Sequence, residues 1–207
     1  MQFENSKDFA QQLDAQDPLK EYRNRFNFPK INGNDARYFC GNSLGLKPKT
    51  ANEYVTQELD DWAEFAVEGH FHAKTPWFSY QDIFPEKLGK LVGALPKEVT
   101  VMNGLTVNLH LLMVSFYNPK GKRYKIICEA KAFPSDQYAL ESQVKFHGYE
   151  PEDAIIEIAP RDGEDLIREE DILKTITENG DEVALVMFGG VNYYTGQVFD
   201  MKTITEA

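Results

Sequence analysis

Residues 125–188 read KIICEAKAFPSDQYALESQVKFHGYEPEDAIIEIAPRDGEDLIREEDILKTITENGDEVALVMF, and this stretch decides the fold. Three short apolar runs, 125–128, 154–158 and 183–188, have the length and β-branched content of strands. The last is apolar without alternation, as strands buried on both faces are. Between them lie two helical patterns, 135–147 closed by Gly148 and 168–178 closed by Gly180. Strands alternating with helices at this spacing imply right-handed crossovers and an α/β fold, a mostly parallel sheet with helices on both faces.

Working toward the N-terminus, 99–102 is a further strand candidate, and 106–116 reads as a buried helix, apolar on most sides. The spacing predicts a helix over 82–92 with Leu88, Leu91 and Val92 inward. Thr50-Ala51-Asn52-Glu53 has the form of a capping box. Val55, Leu59, Trp62 and Ala66 follow as an inner face, with Gly69 as the stop. Residues 27–49 are turn-rich. Asp17-Pro18 reads as an N-cap with proline at the first helical position, followed by an inner face of Leu19, Tyr22 and Phe26. A first helix is expected over 8–15. Residues 1–50 therefore read as an arm and loop, and 51–207 as the beginning of a larger domain. Toward the C-terminus, Asp200 caps a helix at 201–207 that is too short to be stable alone. A helix starting in mid-series suggests the N-terminal part of a longer protein.

The chain of 207 residues is 42% hydrophobic, 13% aromatic and 27% charged, which is a globular composition. Its net charge of −11 argues against non-specific nucleic-acid binding, which needs a basic surface. The charge is local: residues 150–182 hold thirteen acidic and three basic side chains, −10 of the total. A solvated helix face explains that better than an acidic docking patch. Two cysteines, Cys40 and Cys128, make neither a disulfide framework nor a metal knuckle, and a reducing compartment fits. The polar start Met1-Gln2-Phe3-Glu4-Asn5 lacks a secretory signal, and no apolar run is long enough to span a bilayer. A cytoplasmic protein without membrane or nucleic-acid partners is expected.

Neither G-x-G-x-x-G nor a P-loop is present, nor are H-E-x-x-H, G-x-S-x-G or Cys-x-x-Cys. His70 and His72 lack a third ligand in sequence, so no metal site is expected. Three segments carry chemistry. Asn103-Gly104-Leu105-Thr106 opens a helix, where free amides and a partial positive charge suit a phosphate; an ordinary turn is the plainer reading. Ala132-Phe133-Pro134-Ser135-Asp136 opens the next. Phe133 could stack on a flat ligand and Asp136 could face a ring nitrogen, or Ser135 could be an N-cap with Phe133 as its hydrophobic staple. Tyr38-Phe39-Cys40-Gly41-Asn42-Ser43-Leu44-Gly45-Leu46 is either a shaped ligand loop or a tight turn.

Taken together, these segments resemble kynureninase. The resemblance is carried by Phe39-Cys40-Gly41-Asn42-Ser43-Leu44-Gly45, Gly69-His70, Met102 to Leu112, Glu129 to Asp136 and Tyr194-Thr195-Gly196-Gln197, and runs from about Leu19 to the last residue. It implies a pyridoxal-phosphate enzyme of fold type I, a three-layer sandwich that is incomplete in this chain, working as a homodimer on kynurenine and 3-hydroxykynurenine. It implies Leu105 and Thr106 at the cofactor phosphate, Phe133 on the ring, and Pro134, Ser135 and Asp136 in the cofactor network. Asn42, Ser43 and His70 would lie near the substrate. Family members often carry a hydroxyl residue where this chain has Gly189. The Schiff-base lysine is expected beyond Ala207, so no catalytic residue is assigned within the chain, and these residues alone are expected to be inactive. A desulfurase- or transaminase-like relative would usually stack a histidine where Phe133 stands. A non-enzymatic module keeping the fold is the third reading.

Overall fold

The computed structural model describes residues 3–207; Met1 and Gln2, the start of the polar N-terminus, lie outside them. The chain divides after Thr100 into two compact units.

In the first unit, α1 (Lys7–Gln16) is capped by Ser6, whose hydroxyl accepts from the Phe9 amide at 3.2 Å. The segment after Asp17-Pro18 is a 3₁₀ helix, Lys20–Arg25, rather than an α-helix. Its expected inner face is not inside: Leu19 and Tyr22 are exposed and Phe26 is only half-buried. The Arg25 guanidinium covers the Tyr22 ring, 4.4 Å from its centroid. The turn-rich segment holds a hairpin, β1 (Lys30–Ile31) antiparallel to β2 (Asn34–Asp35). Its tight turn puts both Asn32 and Gly33 at positive φ, 50° and 80°, the demand that selects Asn-Gly.

Helix α2 (Ala51–Phe65) begins where expected, but Thr50 has helical backbone angles and its side chain makes no cap bond, so the capping box does not form. Its expected inner face, Val55, Leu59, Trp62 and Ala66, is exposed. The buried residue is Asp61, which accepts from the Lys74 amide and from Gln57 Nε2, both at 3.1 Å. Gly69 does not stop α2. The helix ends at Phe65 because Ala66 turns to φ 47°, and Gly69 opens a single turn, α3 (Gly69–His72). Helix α4 (Pro85–Val92) is shorter than expected, being preceded by a 3₁₀ segment, Trp77–Ile83. Leu91 and Val92 are exposed, and Gly89 is its buried residue.

The second unit is sheet-centred. In chain order it contains α5 (Leu105–Phe116), β3 (Lys125–Glu129), α6 (Pro134–Phe146), the single turn α7 (Pro151–Ala154), β4 (Ile155–Ile158), α8 (Glu169–Asn179), β5 (Val183–Met187) and α9 (Met201–Glu206). The strands pair in parallel in the order β4-β3-β5, with Cys128 opposite both Glu157 and Met187. The fold is thus α/β with a parallel three-stranded sheet. The expected strand at 99–102 is not one, and it finds no partner among the described residues.

Alternation along β3 sends neighbouring side chains to opposite faces. Ile126 and Cys128 join Met113, Tyr117, Leu140 and Val144 in one apolar cluster, while Ile127 joins Ile158, Ile172, Ile176, Phe199 and Ile204 in another. Both faces are therefore covered by helices of this unit. α5 departs from expectation: it packs on α6, but only Met113 is fully buried and Leu105, Val114 and Phe116 are exposed. α9 forms as read, with Asp200 accepting from the Lys202 and Thr203 amides. The acidic segment is a solvated face. Arg161 pairs with Glu170 and Asp171 at 2.8 and 2.7 Å, and Arg168 pairs with Glu164 and Glu170.

Candidate functional site

Helix α5 begins on Gly104, whose extended backbone (φ −70°, ψ 160°) supplies no side-chain cap. The Asn108 amide makes the first intrahelical bond, to the Gly104 carbonyl at 3.1 Å. The amides before it, those of Leu105, Thr106 and Val107, are the orphan donors every helix start leaves. Leu105 and Thr106 are exposed, and the Thr106 hydroxyl has no hydrogen-bond partner among the described residues. Asn103 and Asn108 brace the turn reciprocally, at 3.3 and 3.4 Å. This donor set suits an anion.

At the end of β3 the chain reverses through Lys131 at φ 55° and enters α6. The N-cap of α6 is Phe133 and Pro134 fills the first position, so Ser135 is not the cap and Phe133 is not a staple before it. Phe133 is about half-exposed (48%). Its ring meets that of Tyr193 perpendicularly, with centroids 5.1 Å apart. Ser135 and Asp136 are half-buried neighbours in the first turn, the hydroxyl donating to Asp136 Oδ1 at 3.4 Å.

The same strand end carries a buried carboxylate, Glu129, which accepts from Asn192 Nδ2 at 2.7 Å. A Cβ on Gly189 would stand 3.6 Å from Glu129 Oε1 and 3.4 Å from the Val191 carbonyl, both ordinary contacts, so a small side chain fits there. A cavity of about 560 Å³ opens beside these residues, walled by Lys131, Pro160, Asp165, Asn192, Tyr193 and Tyr194 among others. Sequence reasoning singled out Phe133 but not Glu129, Asn192 or Tyr193 as a connected set. The signal that could have found it is a turn-forming Asn-x-x-Thr-Gly held near a strand-ending glutamate.

Asn42, Ser43 and His70 lie in the first unit. Asn42 and Ser43 sit exposed on a turn closed by Ser43 and Leu44 amides bonding the Cys40 carbonyl at 3.0 and 3.1 Å. His70 packs edge-on to Trp77, 5.5 Å between centroids, and Trp77 Nε1 donates to Glu58 at 2.8 Å. Among the described residues no group of three or more His, Cys, Asp or Glu could hold a metal ion, and no helix is long and apolar enough to cross a membrane.

No family model matches the chain. Among curated proteins, it is 67% identical over all 207 of its residues to a kynureninase of Christiangramia forsetii, covering 49% of that protein. It is 68% identical over its full length to one from Flavobacterium psychrophilum, again covering 49%, and 48% identical to one from Nematostella vectensis, covering 46%. The chain thus spans about half the length of the curated relatives it matches. The resemblance to kynureninase holds along the whole chain, and an N-terminal portion of such a protein fits these matches.

Proposed function

We propose that this chain, similar from end to end to half of a kynureninase, serves in a full-length enzyme that hydrolyses L-kynurenine, and 3-hydroxykynurenine, to anthranilate or its 3-hydroxy form and L-alanine. The observation that carries the reading is 67% identity over every residue to a protein of that name. The setting would be tryptophan catabolism and NAD biosynthesis in the cytoplasm, and the working form a homodimer of fold-type-I, three-layer subunits. Residues 1–50 would belong to the small domain and 51–207 to the first part of the large one.

The residues at the starts of α5 and α6 fit pyridoxal phosphate. The α5 start offers uncommitted amides and a free threonine hydroxyl, Phe133 keeps part of its ring open, and Asp136 supplies a carboxylate beside Ser135. When bound, the cofactor supplies an electron sink for carbanion chemistry at the amino-acid carbon. Leu105 and Thr106 would hold the phosphate through backbone amides and the hydroxyl. Phe133 would stack on the ring, on a backbone made rigid by Pro134. Asp136, oriented by Ser135, would take part in the polar network beside the ring. Asn42, Ser43 and His70 would orient the substrate. None of these groups is assigned the proton transfers of the reaction.

The test is anthranilate fluorescence after adding kynurenine and pyridoxal phosphate. The full-length protein is expected to release anthranilate, and these 207 residues, purified free of it, none. A full-length protein that binds the cofactor but acts on cysteine or a keto acid would support the desulfurase- or transaminase-like reading instead.

A further inference from the structure

We propose that Tyr193 is a positioning residue that sets the plane of the Phe133 ring, and that the buried Glu129–Asn192 pair holds it there. The proposal rests on the reading that Phe133 stacks on the cofactor.

Burying a carboxylate is costly unless it is hydrogen-bonded, and Glu129 is only 7% exposed. Its bond comes from Asn192, sixty-three positions along the chain. The amide oxygen of Asn192 is also fully engaged. It accepts from the Tyr194 and Thr195 amides, each at 2.9 Å, and from the Thr195 hydroxyl at 3.1 Å. The far end of the turn is tied as well: Gln197 accepts from the Ile167 amide at 3.0 Å and donates to its carbonyl at 2.6 Å. The Asn192 amide closes the turn on the Gln197 carbonyl at 2.8 Å, with Gly196 at φ 73°.

A turn this constrained displays two aromatic rings. Tyr194 points outward, 86% exposed; Tyr193 meets Phe133 at 83°. Glu129 ends the strand that leads, four residues later, to Phe133. One strand end therefore fixes both partners, directly for Phe133 and through Asn192 for Tyr193. A half-exposed phenyl ring otherwise turns freely about its broad terminal torsion, and a perpendicular neighbour narrows that range.

The experiment uses the full-length chain. The dissociation constant for pyridoxal phosphate is read from fluorescence quenching, and the setting of the ring from visible circular dichroism of the bound cofactor. Tyr193→Ala is expected to weaken binding about three- to tenfold, the range that loss of an aromatic pair gives. It should also diminish the dichroism. Tyr193→Phe should restore both, and Tyr193→Leu, which keeps apolar bulk without an aromatic ring, should not. In a Phe133→Ala background, Tyr193→Ala should have no further effect. If Phe133→Ala weakens binding while Tyr193→Ala and Tyr193→Leu leave binding and dichroism unchanged, the positioning role is overturned and the stacking role stands. If Phe133→Ala changes neither, both fall.

Discussion

Trp62 on α2 and Leu140 on α6 occupy the apolar stripes of two well-formed helices, yet Trp62 is 65% exposed and Leu140 is fully buried. The contrast extends to the units around them. From Val101 onward, two apolar clusters enclose β3 from opposite faces. Up to Thr100, the only buried apolar side chains among the described residues are the small ones of Ala36 and Ala73, and α2 is tied to the chain beyond α3 by polar bonds, the Lys74 amide donating to Asp61 and Trp77 Nε1 to Glu58. A helical stripe records which face of a helix favours cover; it does not say that the same unit provides it. A sheet is different, because its own crossover helices bring the cover with them.

The comparison can be broken most sharply by truncation. Leu140→Ala is expected to cost about 2–5 kcal/mol in urea denaturation, and Leu59→Ala about 0.5 kcal/mol or less. Equal losses would abolish the distinction. The next largest effect probes the packing of Gly69 against the Trp77 ring in the first unit. A Cβ on Gly69 would lie 2.6 Å from the Trp77 ring, which Glu58 holds by its Nε1, so Gly69→Ala should cost about 1–3 kcal/mol and disturb Trp77 fluorescence.

The two cysteines sharpen the contrast without altering the core. Cys40 is exposed and Cys128 buried, so a thiol reagent at about pH 8 should modify Cys40 at once and Cys128 only on unfolding. Burial first, then the charges of Glu157 and Glu129, push the Cys128 thiol up to about 12. A folded-state value raised in this way means that its stability contribution is complete below about pH 9 and is lost as pH climbs toward 12. Cys128→Val should flatten the fall in stability over that window. The smallest effect is expected from Arg168→Ala. This exposed pair with Glu164 should move the denaturation midpoint barely at all, and not at all in high salt.

The parallel sheet was legible in sequence because each of its strands is a compact apolar run between strong stops. Gly148 and Gly180 follow α6 and α8 as read. The hairpin at Asn32-Gly33 was missed because its strands are two residues long and carry no alternation to see. Residues 99–102 look like a strand because valine and threonine favour one, but strand pairing is a property of neighbours. Thr50 fails as a side-chain cap for a reason no spacing shows: its own backbone is already helical. In the candidate site, Phe133 stood out as an aromatic residue beside a proline. Its contact with Tyr193, sixty positions further along the chain, arises only from folding.

The central place of β3 has a consequence for time rather than energy. Ile126 must find Ile155, twenty-nine positions on, and Leu185, fifty-nine positions on, before the sheet exists. Closing such loops precedes any reward from the pairing, so folding of this unit is slowed by contact order. The Asn32-Gly33 hairpin, with partners three to five positions apart, closes on the microsecond scale. The Glu129–Asn192 bond closes a loop of similar length, so the Tyr193–Phe133 contact carries a closure cost of the same order.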